Sequence, residues 1–374
     1  MRKLLCVTPL FPSKEKPFYC IYLLQQLHAM ESCGFNVSVL VPVKSNQFSV
    51  VEEEFDNIRV IRLRYINIGY EFKTFVDKEI DEHDYDIISL NLCNLKLISY
   101  FTKSCKVPTV VHFHGLNVWE NYYEPHPLLA KLIKYKKIYV YRKADAVVGV
   151  SDKVRAVAME YLPAESVYTV YNGVNPSLFY PRQKEQKETF DIYCVANLIM
   201  IKGHEYLIRA LKKVKEQISD MKIQIHIIGD GPYRTNLVDL CCQLGLDESV
   251  VFEGEMKYYD IADRISADCD MFIMPSFYES LGCVYLEAMA CEVPTVGVRG
   301  CGIDEVIKDG YNGFLVDPKN SNQIAEKIIW VVNNPEKAKT IATQGRRTIM
   351  DGFTWDDSGE KLAAVYERII TRDE

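Results

Sequence analysis

The sequence predicts an α/β chain built as two doubly wound, Rossmann-like domains. Three observations predict it. Short apolar runs alternate with amphipathic stretches along nearly the whole chain, the pattern of parallel strands joined by crossover helices. At 374 residues the chain has room for two ordinary domains. A charged, proline-bearing stretch, Tyr180 to Thr189, interrupts the alternation near the middle and reads as a linker. The domains are therefore expected at 1–179 and 190–354, joined by a linker at 180–189. A terminal helix, 355–374, is expected to pack back toward the first domain.

In the first half, strands are expected at Leu4–Thr8, Asn36–Val43, Ile58–Leu63, Ile87–Leu92, Thr109–Phe113, Ala146–Val150 and Val167–Val170. Tyr22–Cys33 is the helix behind the first strand, stopped by Gly34. The N-terminal apolar run ends at Pro9 with no small-residue cleavage site after it, so it reads as a buried strand rather than a leader. No apolar run approaches the roughly 20 residues of a membrane span. In the second half, Asp191–Val195, Ile223–Ile228 and Asp270–Pro275 read as strands. Gly203–Gln217, Leu281–Cys291 and Phe353–Ile370 read as helices.

Composition narrows the function. Apolar residues make up 48% and charged residues 25%, which suits a soluble protein with substantial cores. A net charge of −7 argues against broad nucleic-acid binding. The 12 cysteines are scattered without a Cys-x-x-Cys pair, so neither a zinc site nor a disulfide framework is indicated. They read as reduced thiols of a cytoplasmic protein. The turn Gly229-Asp230-Gly231-Pro232 has Arg234 where a dinucleotide fingerprint needs its third glycine. Pro127 to Lys143 carries Lys131, Lys134, Lys136, Lys137, Arg142 and Lys143 among Leu, Ile, Tyr and Val, with no acid. It is either a solvated helix face or a contact with an anionic membrane surface.

The stretch from Phe277 to Ala290 carries the most chemistry. Ser280 is a candidate N-cap for a helix Leu281–Cys291, placing Glu279 at its N-terminus and Glu287 about two turns further, roughly 9–12 Å along the axis. A helix N-terminus offers N–H groups and a positive dipole end to a diphosphate, and Gly282 permits close approach. Carboxylates on either side of a diphosphate suit the hydroxyls of two sugars, the layout of a nucleotide-diphosphate sugar. On spacing alone, an ordinary helix with two acids is the favoured reading.

Glu279-x7-Glu287 with Ala288-Met289-Ala290, then Val293-Pro294-Thr295-Val296, Gly302–Ile307 and Asp309–Val316, resembles the glutamate motif of retaining GT-B glycosyltransferases, specifically glycosyltransferase family 4. The resemblance covers most of the second half. It implies two Rossmann-like domains facing across a cleft, with a nucleotide sugar held mainly by the second. It implies transfer of the sugar with retention to a glycan or lipid-linked acceptor, with no metal and no cofactor. It implies Glu279 orienting the donor sugar, Glu287 binding ribose, Lys202 and Asn197 facing the diphosphate, and the backbone of Leu281, Gly282, Cys283 and Val284 around it. Gly229 lies along the nucleotide side, and the Glu253–Met256 segment meets the base. The first domain would contribute His114, with His112 structural and the two histidines facing apart. Asn117, Asn175 and Asn197 stand where the family usually has Asp, Asp and Arg, and the loop 9–19 lacks the family's glycines, leaving Lys14 and Lys16 as surface charges or phosphate contacts. A nucleotide-sugar epimerase of this fold and a weakly active nucleotide-sugar-binding protein are the alternatives.

Overall fold

A computed structural model describes residues 1–17, 19–116, 127–184, 187–218 and 220–372. The chain divides into two compact units, Met1–Asn172 with Trp355–Glu374, and Gly173–Thr354. In the first unit the elements run β1 (Arg2–Val7), α1 (Ile21–Ser32), β2 (Phe35–Lys44), β3 (Ser49–Phe55), β4 (Ile58–Tyr65), α2 (Tyr70–His83), β5 (Ile87–Asn91), α3 (Leu95–Ser104), β6 (Thr109–Phe113), α4 (Pro127–Tyr141), β7 (Ala146–Gly149), α5 (Asp152–Met159) and β8 (Val167–Thr169). The strands form one sheet, ordered β3-β4-β2-β1-β5-β6-β7-β8. All neighbours pair in parallel except β3 and β4. Leu4 to Val7 are fully buried, as a central parallel strand covered on both faces requires.

Strand β3 had no counterpart in the sequence reading. It is an edge strand carrying Glu52, Glu53 and Glu54, whose consecutive charges hide the alternation of a half-buried strand. Its signal was the two-residue turn Asp56-Asn57, both at positive φ (50° and 65°), which joins β3 to β4 as an antiparallel hairpin.

The second unit runs β9 (Thr189–Val195), α6 (His204–Gln217), β10 (Lys222–Ile228), α7 (Arg234–Leu244), β11 (Val250–Gly254), α8 (Tyr258–Ala267), β12 (Met271–Ile273), α9 (Cys283–Ala290), β13 (Thr295–Val298), β14 (Phe314–Val316), α10 (Ser321–Asn333) and α11 (Pro335–Met350). Its sheet is wholly parallel, ordered β11-β10-β9-β12-β13-β14. Counted within the unit, that order is 3-2-1-4-5-6. The strand order reverses between β9 and β12, so the crevice beyond their carboxyl ends is the place where such a sheet takes a ligand.

The chain passes between units at Asn172/Gly173 rather than after Phe179, because Gly173–Phe179 packs on the second unit. Phe179 is fully buried, with its ring edge-on to Tyr258 at 5.3 Å. Asn175 accepts from Ser177 N through its side chain and from Phe179 N through its carbonyl, so it shapes a turn. Part of the expected linker is also docked there. Lys187 bridges Asp191 and Asp270 at 2.7 and 2.9 Å, and Arg182 meets Asp263 at 2.7 Å.

The last helix, α12 (Trp355–Ile370), belongs to the first unit. Leu362, Tyr366, Ile369 and Ile370 join the core formed by α1, β1 and β2. Each such side chain contributes about 1.5–3 kcal/mol of burial.

Candidate functional site

Two loops meet at the switch point of the second sheet. The first leaves β9 as Ala196–Ile199 and closes in a single 3-10 turn, Met200–Lys202. The second leaves β12 as Met274–Gly282 and enters α9. They are stitched together: Phe277 N donates to Ile201 O at 3.1 Å, and the Ser276 hydroxyl donates to the same carbonyl at 3.2 Å. The result places Lys202 against Glu279, with Nζ 2.5 Å from Oε2. Both side chains are largely withdrawn from solvent, at 19% and 14% exposure. The other Glu279 oxygen, Oε1, accepts from Ser280 N at 3.2 Å. The Glu279 carbonyl accepts from Gly302 N at 3.1 Å, which ties the loop to the segment after β13.

Helix α9 begins at Cys283, two residues later than expected, and Ser280 is not its cap. The cause is Gly282, which sits at φ +82° in the left-handed region and ends the extended loop. A Cβ there would lie 2.7 Å from the Tyr285 ring. No side chain caps the helix. Tyr285 is fully buried and its hydroxyl donates to Met274 O at 2.5 Å, bracing the loop from beneath. Glu279 therefore lies outside the helix, and only the four steps from Cys283 to Glu287 are helical rise, about 6 Å. Leu281 is buried, while Gly282, Cys283 and Val284 are half-buried.

Glu287 is 5% exposed. Burial pushes its carboxyl up to about 7, against the stabilising hydrogen bond that Tyr258 donates to Oε1 at 3.1 Å. Tyr258 was not among the expected site residues. Nothing marks it in sequence, because its role follows from where α8 crosses α9.

The remaining expected donor contacts fall around these loops. Asn197 is exposed at the carboxyl end of β9. Gly229 follows β10, and its N–H donates at 2.7 Å to the carbonyl of Gly254, the last residue of β11. The Glu253 side chain is committed within the unit, to His226 Nδ1 at 2.8 Å and to Arg264 Nη2 at 3.1 Å. Beyond β11, Glu255 is exposed and Met256 is half-buried.

In the first unit, His112 and His114 share a face rather than pointing apart. Side chains two residues apart on a strand lie on the same side, and the rings stack at 6.0 Å with an 18° interplanar angle. His112 bonds Tyr366 OH at 2.8 Å, and burial lowers its pKa to about 3. His114 Nε2 meets Asn91 Oδ1 at 2.8 Å, and burial lowers its pKa to about 4. Both are neutral at pH 7. Asn91 is fully buried at the end of β5, and its amide nitrogen donates to the Ser89 hydroxyl at 2.8 Å. The sequence signal for it was a lone amide closing an apolar run. Lys14 and Lys16 are exposed. Asn117 lies outside the described residues.

Among the described residues no group of three or more His, Cys, Asp or Glu is placed to hold a metal. All twelve cysteines are free thiols. No described helix is long and apolar enough to cross a membrane.

Comparison with known proteins fits this architecture. The family model "Glycosyl transferases group 1" matches residues 179–348, and "Glycosyltransferase Family 4" matches 19–178. An uncharacterized glycosyltransferase of Methanocaldococcus jannaschii is 29% identical over 84% of this chain and 86% of its own. A GDP-mannose-dependent alpha-(1-6)-phosphatidylinositol monomannoside mannosyltransferase of Mycolicibacterium smegmatis is 31% identical over 59% and 62%. The structure of Anabaena HepE in complex with UDP-glucose superposes with a TM-score of 0.75 at 21% identity, covering 98% of this chain and 100% of that one. With both halves matched by models of one enzyme group and two Rossmann-like parallel sheets in place, the chain belongs to the GT-B glycosyltransferases of the family 4 type.

Proposed function

We propose that this glycosyltransferase is a retaining enzyme that takes its sugar from a nucleotide-diphosphate donor, a UDP-sugar in preference to a GDP-sugar. The acceptor is a hydroxyl of a glycan or a lipid-linked glycan, in bacterial surface polysaccharide assembly on the cytoplasmic side of the membrane. The observation that carries the donor assignment is the convergence of Lys202, Glu279 and the α9 N-terminus at the switch point of one parallel sheet. A helix N-terminus and a lysine together supply the positive field that a diphosphate needs. The relatives support a sugar nucleotide without agreeing on the base, since one is named for GDP-mannose and another was solved with UDP-glucose.

In this reading the bond from the anomeric carbon to the diphosphate oxygen breaks while the acceptor oxygen bonds to the same face. The acceptor's proton passes to the departing diphosphate. Lys202 and the amides of Cys283 and Val284 offset the charge that grows on the leaving group, and Glu279 holds a donor-sugar hydroxyl. Glu287 accepts from ribose. No protein nucleophile is needed, so catalysis is positioning plus electrostatics. His114, neutral and fixed by Asn91, is the first unit's candidate for supporting the sugar.

The test is thermal shift with UDP, GDP, ADP and their common sugar conjugates, followed by slow donor hydrolysis. Saturable stabilisation by one nucleotide, lost in Glu287→Ala, supports the reading. Interconversion of the donor's sugar without acceptor would replace transfer by epimerisation. No stabilisation by any nucleotide would overturn the donor assignment.

A further inference from the structure

Tyr258 reaches Glu287 from a neighbouring helix. Glu287 stands in α9 among Leu286, Ala288, Met289 and Ala290, all buried, and a carboxylate withdrawn into such surroundings needs a hydrogen-bond donor. The Tyr258 hydroxyl supplies it, donating to Oε1 at 3.1 Å. Among the described residues no other hydrogen bond reaches the carboxyl, so Oε2 keeps its lone pairs. Tyr258 is the first residue of α8, and its ring lies edge-on to the fully buried Phe179 at 5.3 Å. A tyrosine has only two side-chain torsions, so a packed ring fixes where its hydroxyl sits. Burial and the carboxylate beside it push the Tyr258 hydroxyl well above its ordinary range, so it remains a donor throughout. The other titratable groups nearby are the thiols of Cys283 and Cys291 on α9 itself, Tyr259 on α8, and Arg346 of α11, whose guanidinium donates to Ala290 O. Strand β13, which also packs on α9, carries none.

From this geometry we infer that Tyr258 is a positioning residue for the donor: it holds Glu287 by Oε1, leaves Oε2 to accept from a ribose hydroxyl, and keeps the group in its carboxylate form. The inference rests on the ribose reading of Glu287. An ionised carboxyl offers both oxygens as acceptors, whereas a protonated one turns one of them into a donor, and hydrogen bonds to the ionised form are the stronger. Burial raises the carboxyl and the tyrosine's hydrogen bond pulls it down, with about 7 as the result. Removing the hydroxyl leaves burial unopposed. In this reading Tyr258 touches neither the transferred sugar nor the breaking bond, so it acts on donor affinity and KM and leaves kcat.

The experiment is calorimetry with UDP and GDP across the neutral pH range, on the wild type and on Tyr258→Phe, which keeps the ring against Phe179. For the nucleotide that binds, Kd should rise about tenfold at pH 7, the cost of a hydrogen bond to a charged group. The pH at which affinity climbs should move above the wild-type value of about 7. KM for the donor should follow Kd while kcat stays at the wild-type level. In a Glu287→Gln background, Tyr258→Phe should add no further loss. Of the 2′-deoxy and 3′-deoxy forms of the nucleotide, at least one should bind the wild type and Tyr258→Phe alike. Without nucleotide, the fall of stability with rising pH should extend to higher pH in Tyr258→Phe, because the folded chain then keeps its proton longer. No binding of UDP or GDP to the wild type would overturn the ribose reading and the inference with it. Binding with an unmoved pH midpoint, or the same loss of affinity in the Glu287→Gln background, would overturn the inference alone and leave Tyr258 a packing residue.

Discussion

Lys202 and Glu279 hold each other across the switch point of the second sheet, Nζ to Oε2 at 2.5 Å, although 77 residues separate them in the chain. The pairing explains how a lysine and a glutamate sit largely buried, since each neutralises the other. On the proposed function, an incoming diphosphate would compete with the carboxylate for the ammonium, and Glu279 would then be free to accept from a sugar hydroxyl. Glu279→Gln should lower kcat about a hundredfold or more, while the loss of stability in chemical denaturation stays within about 3–5 kcal/mol, the range for neutralising one partner of a buried pair. Lys202→Met should raise the Kd for the nucleoside diphosphate, read by calorimetry, and lower kcat as well. A merely halved rate in Glu279→Gln would remove that residue from the chemistry.

Glu287 gives a pH signature. Its carboxyl is raised from 4.5 to about 7 by burial. The folded chain therefore holds a proton that the unfolded chain has already released, and stability falls as pH rises from about 4.5 to about 7. The loss persists above that range. Its size is on the order of 3 kcal/mol at most. Glu287→Gln should flatten this slope in denaturant melts taken across the interval. If ribose hydroxyls donate to the ionised carboxylate, nucleotide affinity should rise with pH through about 7 in the wild type and lose that dependence in the variant.

The alternation of strands and helices, the glutamate pair and Lys202 were legible because each leaves a local trace: apolar runs, a spacing, a Lys-Gly turn after a strand. The start of α9 was not, because Ser280 is a good cap by type and only the fold shows that Gly282 must turn left-handed against Tyr285. The facing of His112 and His114 follows from strand period alone. Tyr258 and Asn91 left little trace, since a polar side chain that supports a site from a neighbouring element has no fixed spacing to it. The unit boundary at Asn172/Gly173 was hidden because a polar stretch looks like a linker even when its lysines are paired with Asp191 and Asp270.

Gly282 is a sharper structural test than either acid. Gly282→Ala puts a Cβ 2.7 Å from the Tyr285 ring at a φ of +82°. The cost should be about 1–3 kcal/mol in denaturant midpoint. The nucleotide-induced thermal shift should fall further than that loss explains, because the α9 N-terminus moves. Tyr285→Phe keeps the ring but removes the hydrogen bond to Met274 O, and should lose only about 1 kcal/mol.

His114 should not titrate in the working range. Burial lowers its pKa to about 4, so its ring resonances in NMR should stay fixed between pH 5.5 and 8. An inflection near pH 6.5 in the rate should survive His114→Gln. Asn91→Asp offers the contrast. A buried carboxylate 2.8 Å from Nε2 would favour the imidazolium, raising the histidine's pKa toward neutrality and bringing its signals into the titration window.

The last helix carries the first unit's stability from the far end of the sequence. Leu362 is 1% exposed and packs in the same core as Leu4, Leu27 and Val39. Leu362→Ala should therefore cost about 2–5 kcal/mol, the range for a buried leucine that leaves a cavity. Hydrogen exchange should rise in β1 and β2 while β9 and β10 keep their protection, because Leu362 sits in the first unit's core. A chain ending at Thr354 should lose Tyr366 as well, and with it the hydrogen bond to His112 beneath β6. The first unit of that shortened chain should fail to fold, and the second should still give a nucleotide-dependent thermal shift, since Lys202, Glu279 and Glu287 all lie within Gly173–Thr354.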